Sequence, residues 1–321
     1  MTRVLGPPTE LTDLEVLRLV RAAWDDTATG VEHLAVGFGA HHWRVDGAAG
    51  PSLFATYDRF GTRHTVDSLT SAYAGAIRLA DAGLEFVLAP LRTRPGGVLV
   101  PVAQWALSCT PWVDAAVVGE GAVDDADVAV ANIADLARLH AADPPAGLPG
   151  WAPVVEPDTG DRLAGLVANP WTTGPYGERA RRAVAGRLPA IATWARRYVA
   201  LAEAAADRRW VVTHGETHTR NQLMTRDGIR FVDWESLKLA PRERDLATLV
   251  QAGYGARVDA DPEMVELFDL EWRLAEIVEY AHWFAAPHTG TADDRTAYEG
   301  LLDELHRGPW WPAAPRSGAA T

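Results

Sequence analysis

Near Pro111 the sequence changes texture, and this change leaves few architectures open. From about Val31 to Val113 short apolar runs broken by glycine follow one another. Leu34–Val36, Trp43–Val45, Leu53–Thr56, Phe86–Ala89, Val98–Val102 and Trp105–Cys109 read as strands. One helix interrupts them over Asp67–Ala82. Another precedes them, where Thr12 and Glu15 form a capping-box pattern ahead of Leu17, Val20 and Trp24. Beyond Pro111 helical periodicity takes over at Asp127–Ala142, Arg179–Asp207 and Pro262–Phe284, with two short strands around Val211–Thr213 and Ile229–Val232. Gly147–Asp161 and Asn169–Gly177 read as loops, and the tail from Gly308 as loosely packed. Consecutive short strands with a single helix imply an antiparallel sheet covered by that helix. The expected fold is α+β in two lobes: an N-terminal β lobe over 1–108, a hinge over 109–114, and a larger helical lobe over 115–321.

Charge narrows the function. Asp and Glu number 43 against 30 Lys and Arg, a formal charge of −13, which argues against a nucleic acid or a membrane surface as partner. Cys109 is the only cysteine and forms no intrachain disulfide. The longest uncharged run, Gly96–Val113, contains Pro101, Gln104, Ser108 and Pro111 and suits buried strands better than a bilayer span. The first residues lack the apolar core and cleavage site of a signal peptide, so a cytoplasmic location is expected.

The stretch from Thr213 to Glu235 concentrates the polar chemistry. Asp227-Gly228 signals a two-residue hairpin flanked by Gln222–Thr225 and Ile229–Val232. A turn centred there places Asn221 opposite Trp234 and Gln222 opposite Asp233, with Asn221 and Asp233 about 5–6 Å apart at the open end. An amide oxygen and a carboxylate at that spacing suit Mg²⁺. Glu216 lies on the loop entering the hairpin, within reach of the same point. His214, Glu216 and His218 at alternate positions also fit one face of an extended strand, a metal-hydrolase arrangement.

Three motifs in order, His214-Gly-Glu-Thr-His-Thr-Arg-Asn221, Val232-Asp-Trp-Glu235 and Pro241-Arg-Glu-Arg-Asp-Leu-Ala247, resemble the aminoglycoside phosphotransferase family. The resemblance implies a protein-kinase-like fold and transfer of a nucleoside triphosphate's γ-phosphate to a hydroxyl of a small molecule, with antibiotic resistance or self-resistance as the setting. It makes Glu216 the catalytic carboxylate, Asn221 and Asp233 the Mg²⁺ ligands, and His214 and Asp245 the supports of the catalytic loop. Gly37 and Gly39, in Val36-Gly-Phe-Gly-Ala-His-His-Trp-Arg-Val45, match a glycine-rich turn over the nucleotide, ATP or GTP, and Ser108, Thr110 and Trp112 match the hinge that meets its base.

This sequence departs from the family's pattern in three places. The usual aspartate is Glu216, one methylene longer. The third strand, Leu53-Phe-Ala-Thr56, lacks the phosphate-binding lysine, since the only lysine in the chain is Lys238. The facing helix carries no glutamate. Losing both halves of an ion pair together leaves neither charge uncompensated, and passes the phosphates to His41, His42, Arg44 or backbone amides. On the last long helix Asp269, Trp272 and Glu276 share a face and are the expected acceptor residues. The missing pair also motivates an alternative, a catalytically silent kinase-like protein that binds a nucleotide or small molecule.

Overall fold

The computed structural model describes residues 6–8, 10–36, 40–61, 64–117, 126–251 and 254–310. Helix α1 (Asp13–Ala23) is closed at its start by the expected capping box: Thr12 N donates to Glu15 Oε2 (2.8 Å) and Glu15 N to Thr12 Oγ1 (3.3 Å). Five antiparallel strands follow in the order β1-β2-β3-β5-β4: β1 (Gly30–Leu34), β2 (Ala40–Gly47), β3 (Gly50–Arg59), β4 (Val100–Val102) and β5 (Trp105–Pro111). Side chains alternate across such a sheet, and the two faces differ. One face carries Trp43, Val45, Leu53, Ala55, Tyr57, Leu107 and Cys109, sealed by Val16 and Val20 of α1. Each of those two valines contributes about 1.5–3 kcal/mol by leaving water. On the opposite face α2 (Val66–Asp81) packs Leu69, Tyr73 and Ile77 against Val98 and Ala106.

Phe86–Ala89 does not form the expected strand. It makes a single bridge, Val87 to Phe231, framed by Leu88 N to Phe231 O (3.0 Å) and Phe231 N to Phe86 O (2.7 Å). Pro90 follows immediately and removes the next backbone donor.

After β6 (Ala116–Val117) and α3 (Ala126–Ala141) come α4 (Thr159–Val167) and α5 (Gly177–Ala205). Then follow β7 (Trp210–Thr213), β8 (Gln222–Thr225), β9 (Gly228–Phe231) and β10 (Lys238–Pro241), and the chain ends on α6 (Glu243–Gln251), α7 (Pro262–Ala285) and α8 (Ala292–His306). The two strands expected at 211 and 229 do not pair with each other: β7 pairs with β10, and β9 with β8. No helix among the described residues is long and apolar enough to cross a membrane.

Two compact units result, with the chain passing between them at 150/151, 209/210 and 245/246. The first combines the sheet, α1–α3 and β6–β10. It cuts the chain elsewhere than the expected lobes because β8 pairs with β6 and Phe231 packs on Phe86 (centroids 5.9 Å apart). The second holds α4, α5, α7 and α8. Its C-terminal segment is tied down rather than loose as far as residue 310. Arg273 Nη2 donates to the carbonyls of Arg307 (2.7 Å) and Gly308 (2.9 Å), and Trp310 N donates to Asp269 Oδ2 (2.9 Å).

Candidate active site

The clustered carboxylates Glu216, Asp233 and Glu235 lie in the first unit, on the chain between β7 and β10. Strand β7 ends at Thr213, whose Oγ1 donates to Lys238 O of β10 (3.0 Å), so the loop that follows leaves from a closed ladder. Asp245, fully buried, fastens that loop. Its Oδ1 accepts from Gly215 N (2.7 Å) and its Oδ2 from His214 N (3.1 Å), while Thr217 Oγ1 donates to its carbonyl (2.7 Å). His140 Nε2 from α3 lies 2.9 Å from Oδ2. Burial opposes the charge on Asp245, but His140, His214 and the Gly215 N–H together hold its carboxyl below the ordinary range. His140 was invisible in the sequence as a site residue, because a histidine ending a helix carries no signal of the carboxylate it will meet.

Gly215 has φ of 97°, a region that favours glycine, and a Cβ there would overlap the Arg244 guanidinium. Arg244 Nη1 donates to Thr213 Oγ1 (3.1 Å) and Ser236 O (2.9 Å), bracing the loop from its other side.

His214 is buried. Its Nε2 donates to Val232 O (2.9 Å) and its Nδ1 accepts from Glu216 N (3.2 Å), an assignment that makes the ring neutral, and burial pushes its pKa down. Both ring nitrogens are thereby engaged, so the metal-hydrolase arrangement of His214, Glu216 and His218 is not formed. Glu216 is 8% exposed. Its Oε1 accepts from Ser236 Oγ (3.2 Å), and its Oε2 faces His218 Nε2 at 3.9 Å.

The hairpin sits one residue earlier than its sequence implied. Thr225 pairs with Gly228 and Gln222 with Phe231, so Arg226-Asp227 forms the turn and Gly228, with φ of 113°, opens the second strand. Thr225 Oγ1 donates to Gly228 O (2.7 Å) and accepts from Asp227 N (3.2 Å), fixing this register. Asn221 therefore meets Val232, whose N–H donates to its carbonyl (3.0 Å), and Asp233 is the next residue. The Asn221 amide is oriented by Nδ2 donating to Glu216 O (3.0 Å). Asp233 adopts a left-handed conformation (φ 68°, ψ 61°), strained for a residue with a Cβ.

One carboxylate oxygen each from Glu216, Asp233 and Glu235 lies within 4.8 Å of the others. Glu235 was not singled out in the sequence, although it stood in the same motif. Surrounding protein and then the like charges of Glu235 and Glu216 push the Asp233 carboxyl well above its ordinary range, although its side chain keeps solvent-accessible surface. Crowded anions of this kind suit a hard divalent cation, which takes oxygen ligands and removes the repulsion. The residues present fit Mg²⁺.

The sheet's open face presents His42, Phe54 and Trp112, with Thr56 paired to Ser108 and Phe54 to Thr110. Three residues expected at the phosphates are otherwise engaged. His41 points to the core side, its Nδ1 at 3.1 Å from Gly6 O. His42 stacks on Phe54 (centroids 4.9 Å apart), and burial lowers its pKa to about 3, so it is not a cation. Arg44 pairs with Glu32 (2.9 Å) and Asp46 (3.0 Å). Gly37 and Gly39 lie outside the described residues. Where an ion pair between the third strand and its helix is missing, Tyr73 Oη of α2 donates to Asp58 Oδ2 of β3 (2.8 Å).

The acceptor residues expected on α7 need correction. Asp269 is 1% exposed, with Arg307 Nη1 and Trp310 N on its two oxygens, and it pins the C-terminal segment. Glu276 is buried beside the Tyr280 hydroxyl. Trp272 alone of the three is half-buried.

Residues 31–283 match the model of the phosphotransferase enzyme family. Protein StrN of Streptomyces griseus is 34% identical over 250 residues, 73% of this chain and 76% of that protein. Among solved structures, spectinomycin phosphotransferase bound to ADP and spectinomycin superposes with a TM-score of 0.71, at 14% identity, over 91% of this chain and 94% of the other. An amicoumacin kinase complex with AMP-PNP and Ca²⁺ gives 0.56, at 13% identity, over 94% and 96%.

Proposed function

This chain belongs to the phosphotransferase enzyme family and has its two-lobed, protein-kinase-like α+β fold; from that premise we propose that it is an Mg²⁺-dependent O-phosphotransferase, moving the γ-phosphate of ATP or GTP to a hydroxyl of an antibiotic-type small molecule. The observation that carries the reading is the Glu216 carboxylate, held by a locked loop within 4.8 Å of the Asp233 and Glu235 oxygens.

In this reading Glu216 orients the acceptor hydroxyl, with Ser236 and His218 fixing its own oxygens. As the new O–P bond forms and the bond to the β-phosphate oxygen breaks, Glu216 takes the hydroxyl proton. Asn221, Asp233 and Glu235 would hold Mg²⁺, which when bound neutralises charge on the phosphates. Asp245 and Arg244 keep the loop from moving, since loosened positioning is where such enzymes lose rate. The open sheet face with Phe54, Ser108, Thr110 and Trp112 receives the nucleotide base. A need for nucleoside triphosphate supports a cytoplasmic location.

The test is mass spectrometry of aminoglycoside, nucleoside and peptide antibiotics incubated with protein, Mg²⁺ and either ATP or GTP. A phosphoryl-sized mass gain is expected, slowed about 10²–10⁴-fold by Glu216→Gln. Nucleotide binding with no product on any acceptor would favour the catalytically silent binder instead.

A further inference from the structure

On the face of β3 that carries Phe54, Thr56 and Asp58, none of them cationic, Asp58 feels the charge of Asp233, and α2 offers Tyr73, which donates to Asp58. Besides His218 at Glu216, a second imidazole reaches the three clustered carboxylates, on the Glu235 side. His64 Nε2 lies 3.4 Å from Glu235 Oε1, and the ring is close enough to Asp58 and Asp233 to act on both. The side chain is only 15% exposed. Its backbone is fixed from both sides. Gly61 N donates to His64 O (2.9 Å), and the next residue, Thr65, caps α2 through Thr65 N to Ser68 Oγ (2.8 Å) and Ser68 N to Thr65 Oγ1 (3.1 Å). The imidazole therefore reaches Glu235 from the residue that directly precedes the cap of α2.

We propose that His64 is a positioning residue for phosphoryl transfer: its ring N–H holds Glu235 in the orientation in which Glu235 and Asp233 together ligate the cation. The inference rests on the Mg²⁺-dependent reading above. A carboxylate with one oxygen engaged by a neighbouring donor presents the other to the ion, and partners of this kind set ligand geometry in metal sites generally. Without the donor, Glu235 loses a contact that opposes repulsion from the two anions beside it.

The experiment titrates Mn²⁺, as the probe ion, into the full-length protein with a non-hydrolysable nucleotide and counts bound ion by electron paramagnetic resonance. His64→Ala should weaken Mn²⁺ binding about 10–100-fold, raise the KM for nucleotide, and leave the KM for acceptor unchanged. His64→Gln, which keeps an N–H donor, should recover most of the loss. His64→Phe, which keeps the ring's bulk without a donor, should behave as His64→Ala and serves if the alanine variant does not fold. Wild-type Mn²⁺ affinity in His64→Ala or His64→Phe overturns the proposal, as does a glutamine variant no better than alanine. A wild-type protein that binds no Mn²⁺ overturns the Mg²⁺-dependent reading, and the role of His64 with it.

Discussion

Replacing Asp58 by asparagine should stabilise the protein, and more so as pH rises. Asp58 is 3% exposed, and burial, then repulsion by Asp233, pushes its pKa from 3.8 to about 6, with His64 and Tyr73 pulling the other way. The sign follows from proton binding. Between pH 3.8 and about 6 the folded chain keeps a proton that the unfolded chain has lost, so stability from this group falls as pH rises through that window, and the deficit is complete above it. Asparagine keeps an acceptor for the Tyr73 hydroxyl and never ionises. At 1.36 kcal/mol per pKa unit the full deficit is about 3 kcal/mol, with roughly half of it present at pH 5. The stabilisation by Asp58→Asn should therefore grow by about 1 kcal/mol between pH 5 and pH 8. Urea unfolding at both pH values, in EDTA to remove divalent ions, measures this directly. An Asp58→Asn protein whose advantage is the same at both pH values, or that is less stable than wild type at pH 8, refutes the account of Asp58 as a charge held against its environment.

Two further substitutions probe the rest of the loop. Asp233→Asn should abolish turnover, to below about 0.1% of wild type, while raising stability at pH 8 by relieving repulsion from Glu235 and Glu216; retained activity would remove Asp233 from the cation site. Gly215→Ala must take an unfavourable φ, at about 1–2 kcal/mol, and displace Arg244 from two hydrogen bonds worth about 1.5–3 kcal/mol each as charged interactions. A loss of about 4–8 kcal/mol in denaturant titration is expected if both hydrogen bonds go, and a loss under about 1 kcal/mol would show that Arg244 does not brace the loop.

What the sequence made legible was local. The capping box at Thr12, the helices at 66–81 and 126–141 and the three motifs of the site are all signals written within a few residues. The hairpin shows the limit of such reading. Asp227-Gly228 is a strong turn signal, but Thr225 and the φ of Gly228 move the turn to Arg226-Asp227, which no two-residue pattern encodes. Asp58 with Tyr73, and His140 with Asp245, join residues 15 and 105 positions apart. Nothing in either partner's neighbourhood announces the other. On α7 the period-based face was found, but what it faces is the chain's own C-terminal segment, and a period does not identify the neighbour it packs on.

The ladder between β7 and β10 has a consequence for how the protein breathes. Every residue from His214 to Leu237, including Glu216, Asn221, Asp233 and Glu235, is threaded between two strands that are hydrogen-bonded to each other. Asp245 and Arg244 stitch the same segment from just beyond the second strand. Such a segment has no free end from which to fray. In amide hydrogen exchange the Gly215, Glu216 and Val232 N–H groups should share one opening free energy, and the cation ligands should be lost and regained as a set.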